Sequence, residues 1–295
     1  MTNGNATMTE PTTHTLEVPG AVLTYDVRPS AGTTEPPLML IGSPMGAGGF
    51  VTLASHFPDR TVVTYDPRGV ERSTKTDPAT ESTPDQHGDD IDAVIRAVGG
   101  GPVDLFASSG GAINALALVA RHPGDVRTLV AHEPPLAALV EDRETALAAA
   151  REVGTTYGAR GFGAGMAKFI LLVSHSGPIP DGFLASDVDP STFGLPTADD
   201  GTRTDPLLFQ NILTCTHYEP DIDALKAVPT RIVIGVGEES GQALAGRGGT
   251  AVAGRLGIEP TSFPGGHDGF LGGEYGGQGK PVEFAARLRE VLARA

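Results

Sequence analysis

Residues 103–123, VDLFASSGGAINALALVARHP, constrain this chain more than any other stretch. Val103, Leu105 and Phe106 open it as an apolar run, tiny residues follow, and Ile113, Leu116, Ala117 and Ala120 then recur at helical spacing. The pattern predicts a buried strand that turns sharply into a helix. A serine sits at the corner.

Two serines compete for that corner, and sterics distinguish them. A serine exposed on a strained strand-to-helix turn needs small residues two places before and two places after it, so that strand and helix can approach. Around Ser109 those residues are Ala107 and Gly111; around Ser108 they would be Phe106 and Gly110. Ser109 is therefore the candidate nucleophile, in an A-S-S-G-G form of G-x-S-x-G. The competing reading is a Ser-Gly-Gly turn that merely ends a buried strand.

At 295 residues and 39% hydrophobic side chains, the chain can bury one large α/β core with an inserted lid. A net charge of -15 argues against nucleic acid or an anionic membrane as partner, since both require basic patches. The single Cys215 excludes an intrachain disulfide framework and a multi-cysteine zinc site. Residues 1–13 carry neither a basic nor an apolar signal region and no run reaches membrane-spanning length, so a cytoplasmic protein is expected.

In chain order, residues 1–13 read as a flexible N-terminus. Short strands are expected at 14–18 and 21–27 and a buried strand at 38–41, running into Gly42-Ser43-Pro44-Met45-Gly46. A strand over 61–65 leads to Asp66-Pro67-Arg68-Gly69, in which Asp66 and Arg68 are expected to pair and brace the loop. Thr83 as N-cap, Pro84 and Gln86 announce a helix whose apolar face is Ile91, Val94, Ile95 and Val98, with Asp85, Asp89 and Asp90 expected on its solvated side. After the elbow helix a strand over 126–131 ends at His132-Glu133-Pro134-Pro135, which puts a carboxylate where ligands of parallel sheets bind. Residues 137–226 leave the strand–helix alternation and read as a helical lid. Residues 14–136 and 227–295 form the core, with strands at 231–236 and 261–263, His267 in a glycine-rich loop, and a closing helix over 282–292.

Serine, acid and histidine thus follow one another in that order. This arrangement resembles the α/β-hydrolase fold family: a mostly parallel sheet flanked by helices, with a helical lid insertion. The resemblance rests on Ile41-Gly42-Ser43-Pro44 as an oxyanion loop, Asp66-x-Arg68-Gly69, the elbow from Ala107 to Gly111, and Gly266-His267. Ile41 stands where the family usually has histidine. The aspartate that usually follows the strand at 231–236 is missing, since Gly237-Glu238-Glu239 runs on to Ser240.

Three readings repair the missing acid. Glu133 takes the role from the preceding strand tip, as in some branches of the family; Glu239 reaches His267 with its longer side chain; or His267 has no carboxylate partner. The bland reading of Glu133 pairs it with Arg143. The resemblance implies that Ser109 attacks an acyl carbonyl, His267 takes its proton, Glu133 orients the imidazole, and the backbone N–H groups of Ser43 and Gly110 hold the oxyanion. No metal or organic cofactor is required. The implied activity is hydrolysis of an ester, lactone or thioester of a small to medium hydrophobic molecule. Of the other histidines, His132, His175 and His217 are expected to face the cleft, with His217-Tyr218 as a substrate contact. Phe162, Met166, Phe169, Leu172, Phe183, Phe193 and Phe209 are expected to make the lid apolar. The rivals are a non-hydrolytic small-molecule binder on the same fold, and cofactor-free perhydrolase or carbon–carbon hydrolase chemistry. A monomer or homodimer is expected.

Overall fold

The structure is a computed structural model describing residues 10–78 and 80–294. Its sheet contains β1 (Thr12–Val18), β2 (Ala21–Arg28), β3 (Leu38–Ile41), β4 (Val62–Asp66), β5 (Thr74–Lys75), β6 (Val103–Ser108), β7 (Val126–His132), β8 (Arg231–Gly237) and β9 (Thr261–Phe263). They lie in the order β1-β2-β4-β3-β6-β7-β8-β9, with β5 paired to β2. The β1–β2, β2–β4 and β2–β5 pairings are antiparallel, and all pairings from β4 through β9 are parallel.

Both faces of the parallel part are covered, and the strand sequences show why. Met39, Ile41, Leu105, Leu129 and Ile234 point to one face, where they pack on α2 (Pro84–Ala97), α3 (Gly110–Arg121) and α8 (Leu244–Leu256). Their neighbours Leu38, Leu40, Phe106, Val130 and Val233 point to the other, against α1 (Val51–Ser55) and α9 (Pro281–Leu292). Period-two side chains that are apolar on both sides can be satisfied only between two helical layers. Thr83 caps α2 by accepting from the Gln86 N–H at 3.2 Å.

Between β7 and β8 the chain leaves the sheet for α4 (Arg143–Arg160), α5 (Phe162–Ser174), α6 (Ile212–Thr216) and α7 (Ile222–Ala227). A separate cluster, including Val153, Tyr157, Leu172, Leu208 and Ile212, holds much of this excursion together and meets Leu244 of α8. A π-helical turn over Pro206–Asn211 leads into α6. No helix among the described residues is long and apolar enough to cross a membrane.

Three local expectations require correction. Of the N-terminal stretch expected to be flexible, residues 1–9 lie outside the described residues, but Thr12 and Thr13 are already in β1, opposite Val27 and Asp26. Asp66 and Arg68 do not pair with each other. Arg68 forks onto Asp90 at 2.5 and 2.6 Å, whereas Asp66 binds Arg72 at 2.6 Å and accepts from the Ala47 N–H at 2.8 Å. Asp90 is accordingly buried rather than solvated, because the buried Arg68 guanidinium needs a carboxylate of its own.

Candidate active site

β6 delivers its last residue, Ser108, into the interior, and the chain reverses at Ser109 with φ 58° and ψ −129° before α3 begins. That positive φ is uncommon for a non-glycine residue and is held by the surroundings: the Ser109 N–H donates to the His132 carbonyl at 3.0 Å. Tiny flanking residues permit the turn. A Cβ on Gly111 would lie 2.7 Å from the Gly42 Cα, and one on Gly110 would lie 2.6 Å from the Ser43 carbonyl oxygen. Ser108 is buried, its Oγ 3.3 Å from His132 Nδ1.

Glu133 follows the end of β7, also at positive φ (49°), and its carboxylate is fully buried. Oε1 accepts from the Gly237 N–H at 2.8 Å and Oε2 from His267 Nδ1 at 2.8 Å. Burial by itself would raise this carboxyl, but the His267 hydrogen bond and the fields of His132 and His267 outweigh it and hold the group down at about 2. A carboxylate can only accept, so Nδ1 carries the proton and the neutral ring presents its Nε2 lone pair. Arg143 takes no part, bonding Glu219 at 3.1 Å instead. Glu239 pairs with Lys280.

Ser109, Glu133 and His267 line one cavity of about 640 Å³, together with Ser43 and Gly110. As the first residue of α3, Gly110 has a backbone N–H without an intrahelical partner. The nearly buried Ser43 donates its Oγ to Asn211 Oδ1 at 2.9 Å, and Cys215 Sγ lies 3.3 Å from the same oxygen. Asn211 Nδ2 in turn donates to the Pro206 carbonyl at 3.1 Å, so the π-helical turn is tied to the loop after β3. Burial pushes the Cys215 thiol up to about 12, which leaves it protonated and poorly nucleophilic.

A family model described as alpha/beta hydrolase fold matches residues 36–166, the stretch from β3 through the elbow into α5. The parallel strands β3, β4, β6 and β7 and the serine turn lie within that match. The chain has the α/β-hydrolase fold. An uncharacterized hydrolase, YraK, from Bacillus subtilis (strain 168) is 29% identical over 291 residues, covering 95% of this chain and 96% of that protein. An esterase from Thermogutta terrifontis aligns with a TM-score of 0.65 at 17% identity over 97% of this chain and 99% of its own. The enol-lactonase of Burkholderia xenovorans LB400 gives 0.64 at 15% identity over 95% and 100%.

Within this fold the structure moves several residues out of the roles the sequence suggested. His217 and Tyr218 do not line the cavity: His217 Nε2 faces Arg151 at 3.1 Å and Tyr218 Oη donates to Asp85 at 2.8 Å. Of the apolar residues expected around the ligand, Phe169 and Leu172 reach the cavity, whereas Phe162, Met166, Phe183 and Phe209 pack within the excursion itself. His132 lies beneath the site rather than facing it, with its ring among Phe106, Phe263, Phe270 and Phe284. Burial lowers it to about 4.

Sequence reasoning missed Asn211 and the Gly237 N–H. Nothing local marked Asn211, which lies 168 positions from Ser43. Gly237 carried a signal, since a strand ending in glycine often marks a close backbone approach; here a Cβ would lie 2.7 Å from the Gly265 carbonyl oxygen. Away from the cavity, Asp92, His122 and Asp125 bring potential metal-ligand atoms within 4.8 Å of one another. His122 is engaged by Asp89 at 2.8 Å and Asp92 by Arg96 at 2.8 Å.

Proposed function

We propose that the protein is a serine hydrolase that cleaves a carboxylic ester, lactone or thioester of a small to medium hydrophobic molecule through an acyl-enzyme on Ser109. The observation that carries this reading is the 2.8 Å bond from His267 Nδ1 to the buried Glu133 carboxylate, beside a serine held at positive φ in the same cavity. The mechanism follows from those groups. His267 Nε2 accepts the Ser109 hydroxyl proton as Oγ attacks the carbonyl carbon, and Glu133 stabilises the imidazolium that forms. The N–H groups of Ser43 and Gly110 receive the oxyanion, each worth about 3 kcal/mol in comparable sites. The carbonyl re-forms as the leaving group departs with the His267 proton. Water, activated by the same imidazole, then releases the acid.

The scheme uses no metal or organic cofactor. The helical excursion over 137–226 serves as the lid, contributing Phe169, Leu172, Leu207 and Ile212 as an apolar wall for the substrate. The names of the similar proteins, hydrolase, esterase and lactonase, agree with acyl transfer to water. Intact-mass analysis after exposure to a fluorophosphonate probe tests the reading. One probe per chain on the wild type and none on Ser109→Ala supports it. A folded wild type that stays unlabelled favours a small-molecule binder.

A further inference from the structure

The charge pattern of the cavity narrows the substrate class beyond the choice of scissile bond. No Lys or Arg side chain lines it among the described residues. Its ionisable oxygen ligands are all acidic: Glu133 at the floor, engaged with His267, and the exposed Glu239 and Asp268. Lys280, outside the lining, pairs with Glu239, and no Lys or Arg among the described residues forms an ion pair with Asp268. The walls between are apolar, with Phe169, Leu172, Leu207, Leu244, Phe270 and Leu271. The whole chain carries a net charge of -15, the same sign as the rim.

An anionic group entering this cavity would lose its hydration to an apolar wall, find no guanidinium or ammonium to replace it, and meet carboxylates at the rim. A cationic group would suffer the same desolvation, offset by the rim carboxylates. An uncharged chain would suffer neither. We infer that the protein selects uncharged acyl esters and lactones, tolerates cationic ones and rejects anionic ones, so that thioesters of phosphate-bearing carriers and carboxylated lactones are poor substrates. Glu239 and Asp268 are the specificity-determining residues. The inference rests on the serine-hydrolase reading for its catalytic arm, but not for its binding arm.

Both arms use the full chain. In the first, kcat/KM is measured for three p-nitrophenyl esters of matched length: hexanoate, the glutarate half-ester, and 4-(trimethylammonio)butyrate. At low salt, turnover of the glutarate should be about 100-fold below the hexanoate and at least about tenfold below the cation. The ratio of cation to anion should shrink several-fold in 1 M NaCl and again in Glu239→Gln/Asp268→Asn. A glutarate rate equal to or above that of the cationic ester overturns the inference.

In the second, Ser109→Ala is titrated with the corresponding methyl ketones: heptan-2-one, 5-oxohexanoate and 5-(trimethylammonio)pentan-2-one. The same order of affinity supports the charge rule even if the wild type cleaves none of the esters, in which case only the hydrolase reading fails. Binding of 5-oxohexanoate as tight as the cation, or no binding of heptan-2-one, overturns the charge rule itself.

Discussion

His267 Nδ1 donates to Glu133 Oε2 at 2.8 Å across a sequence separation of 134 residues. The bond joins the tip of β7 to the loop after β9, while Glu239, nearer in sequence, is turned away onto Lys280. This geometry separates the two glutamates experimentally. Glu133→Gln should lower kcat on a p-nitrophenyl ester by about 10³–10⁴-fold, because the amide no longer fixes the imidazole tautomer or its positive form. Glu239→Gln should cost less than about tenfold on a neutral ester. Equal losses in the two variants would contradict the assignment of Glu133.

Strain at the elbow gives a stability prediction. Ser109 holds φ 58°, a conformation that glycine adopts without penalty. Ser109→Gly should be more stable than Ser109→Ala by about 1 kcal/mol, the released strain exceeding the extra entropy of glycine in the unfolded chain. Urea denaturation of the two variants, compared at equal slope, measures the difference. A less stable glycine variant would place the strain elsewhere.

Acid sensitivity follows from two buried groups. His132 is lowered to about 4 by burial, partly opposed by Glu133, whereas its unfolded value is 6.5. Between those values the unfolded chain binds the proton more readily than the folded one, so stability falls as pH drops from 6.5 to about 4, by on the order of 3 kcal/mol. Glu133, lowered from 4.5 to about 2, stays ionised in the folded chain while the unfolded chain protonates, and stability falls further through that lower window. Denaturation midpoints from pH 7 to 3 should show a flattened upper window in His132→Phe and a flattened lower one in Glu133→Gln.

Asn211 is placed to position Ser43 rather than to touch the reacting atoms. Replacing it by Leu removes the acceptor for the Ser43 hydroxyl and loosens the loop proposed to present an oxyanion donor. The expected result is a fall in kcat of about 10- to 100-fold with KM changed much less. A change in KM alone would make Asn211 a binding residue. Ser43→Ala combined with Asn211→Leu should be no worse than Asn211→Leu alone, since the two act through one hydrogen bond.

Much of this protein was legible along its chain, and what was legible was local. The apolar alternation of Leu38-Met39-Leu40-Ile41 and the tiny residues around Ser109 dictate a sheet buried on both faces and a sharp turn at its edge. The order Ser109, Glu133, His267 also follows from sequence, as does the presence of a helical excursion after β7. Sequence alone left the choice between Glu133 and Glu239 open, paired Asp66 with Arg68, and gave Asn211 no role.

The tertiary structure decided those points because each depends on which strand ends lie side by side. Parallel register sets His132 opposite Gly235, which brings Glu133 within reach of the Gly237 N–H and of the His267 loop. Arg68 finds Asp90 only because the fold sets α2 beside the loop after β4, and Asn211 meets Ser43 only because the excursion folds back over the loop after β3. Steric and periodic constraints act between neighbours in the chain and can be read there; the pairing of charges and hydrogen bonds is settled by proximity in space, which only the packed fold supplies.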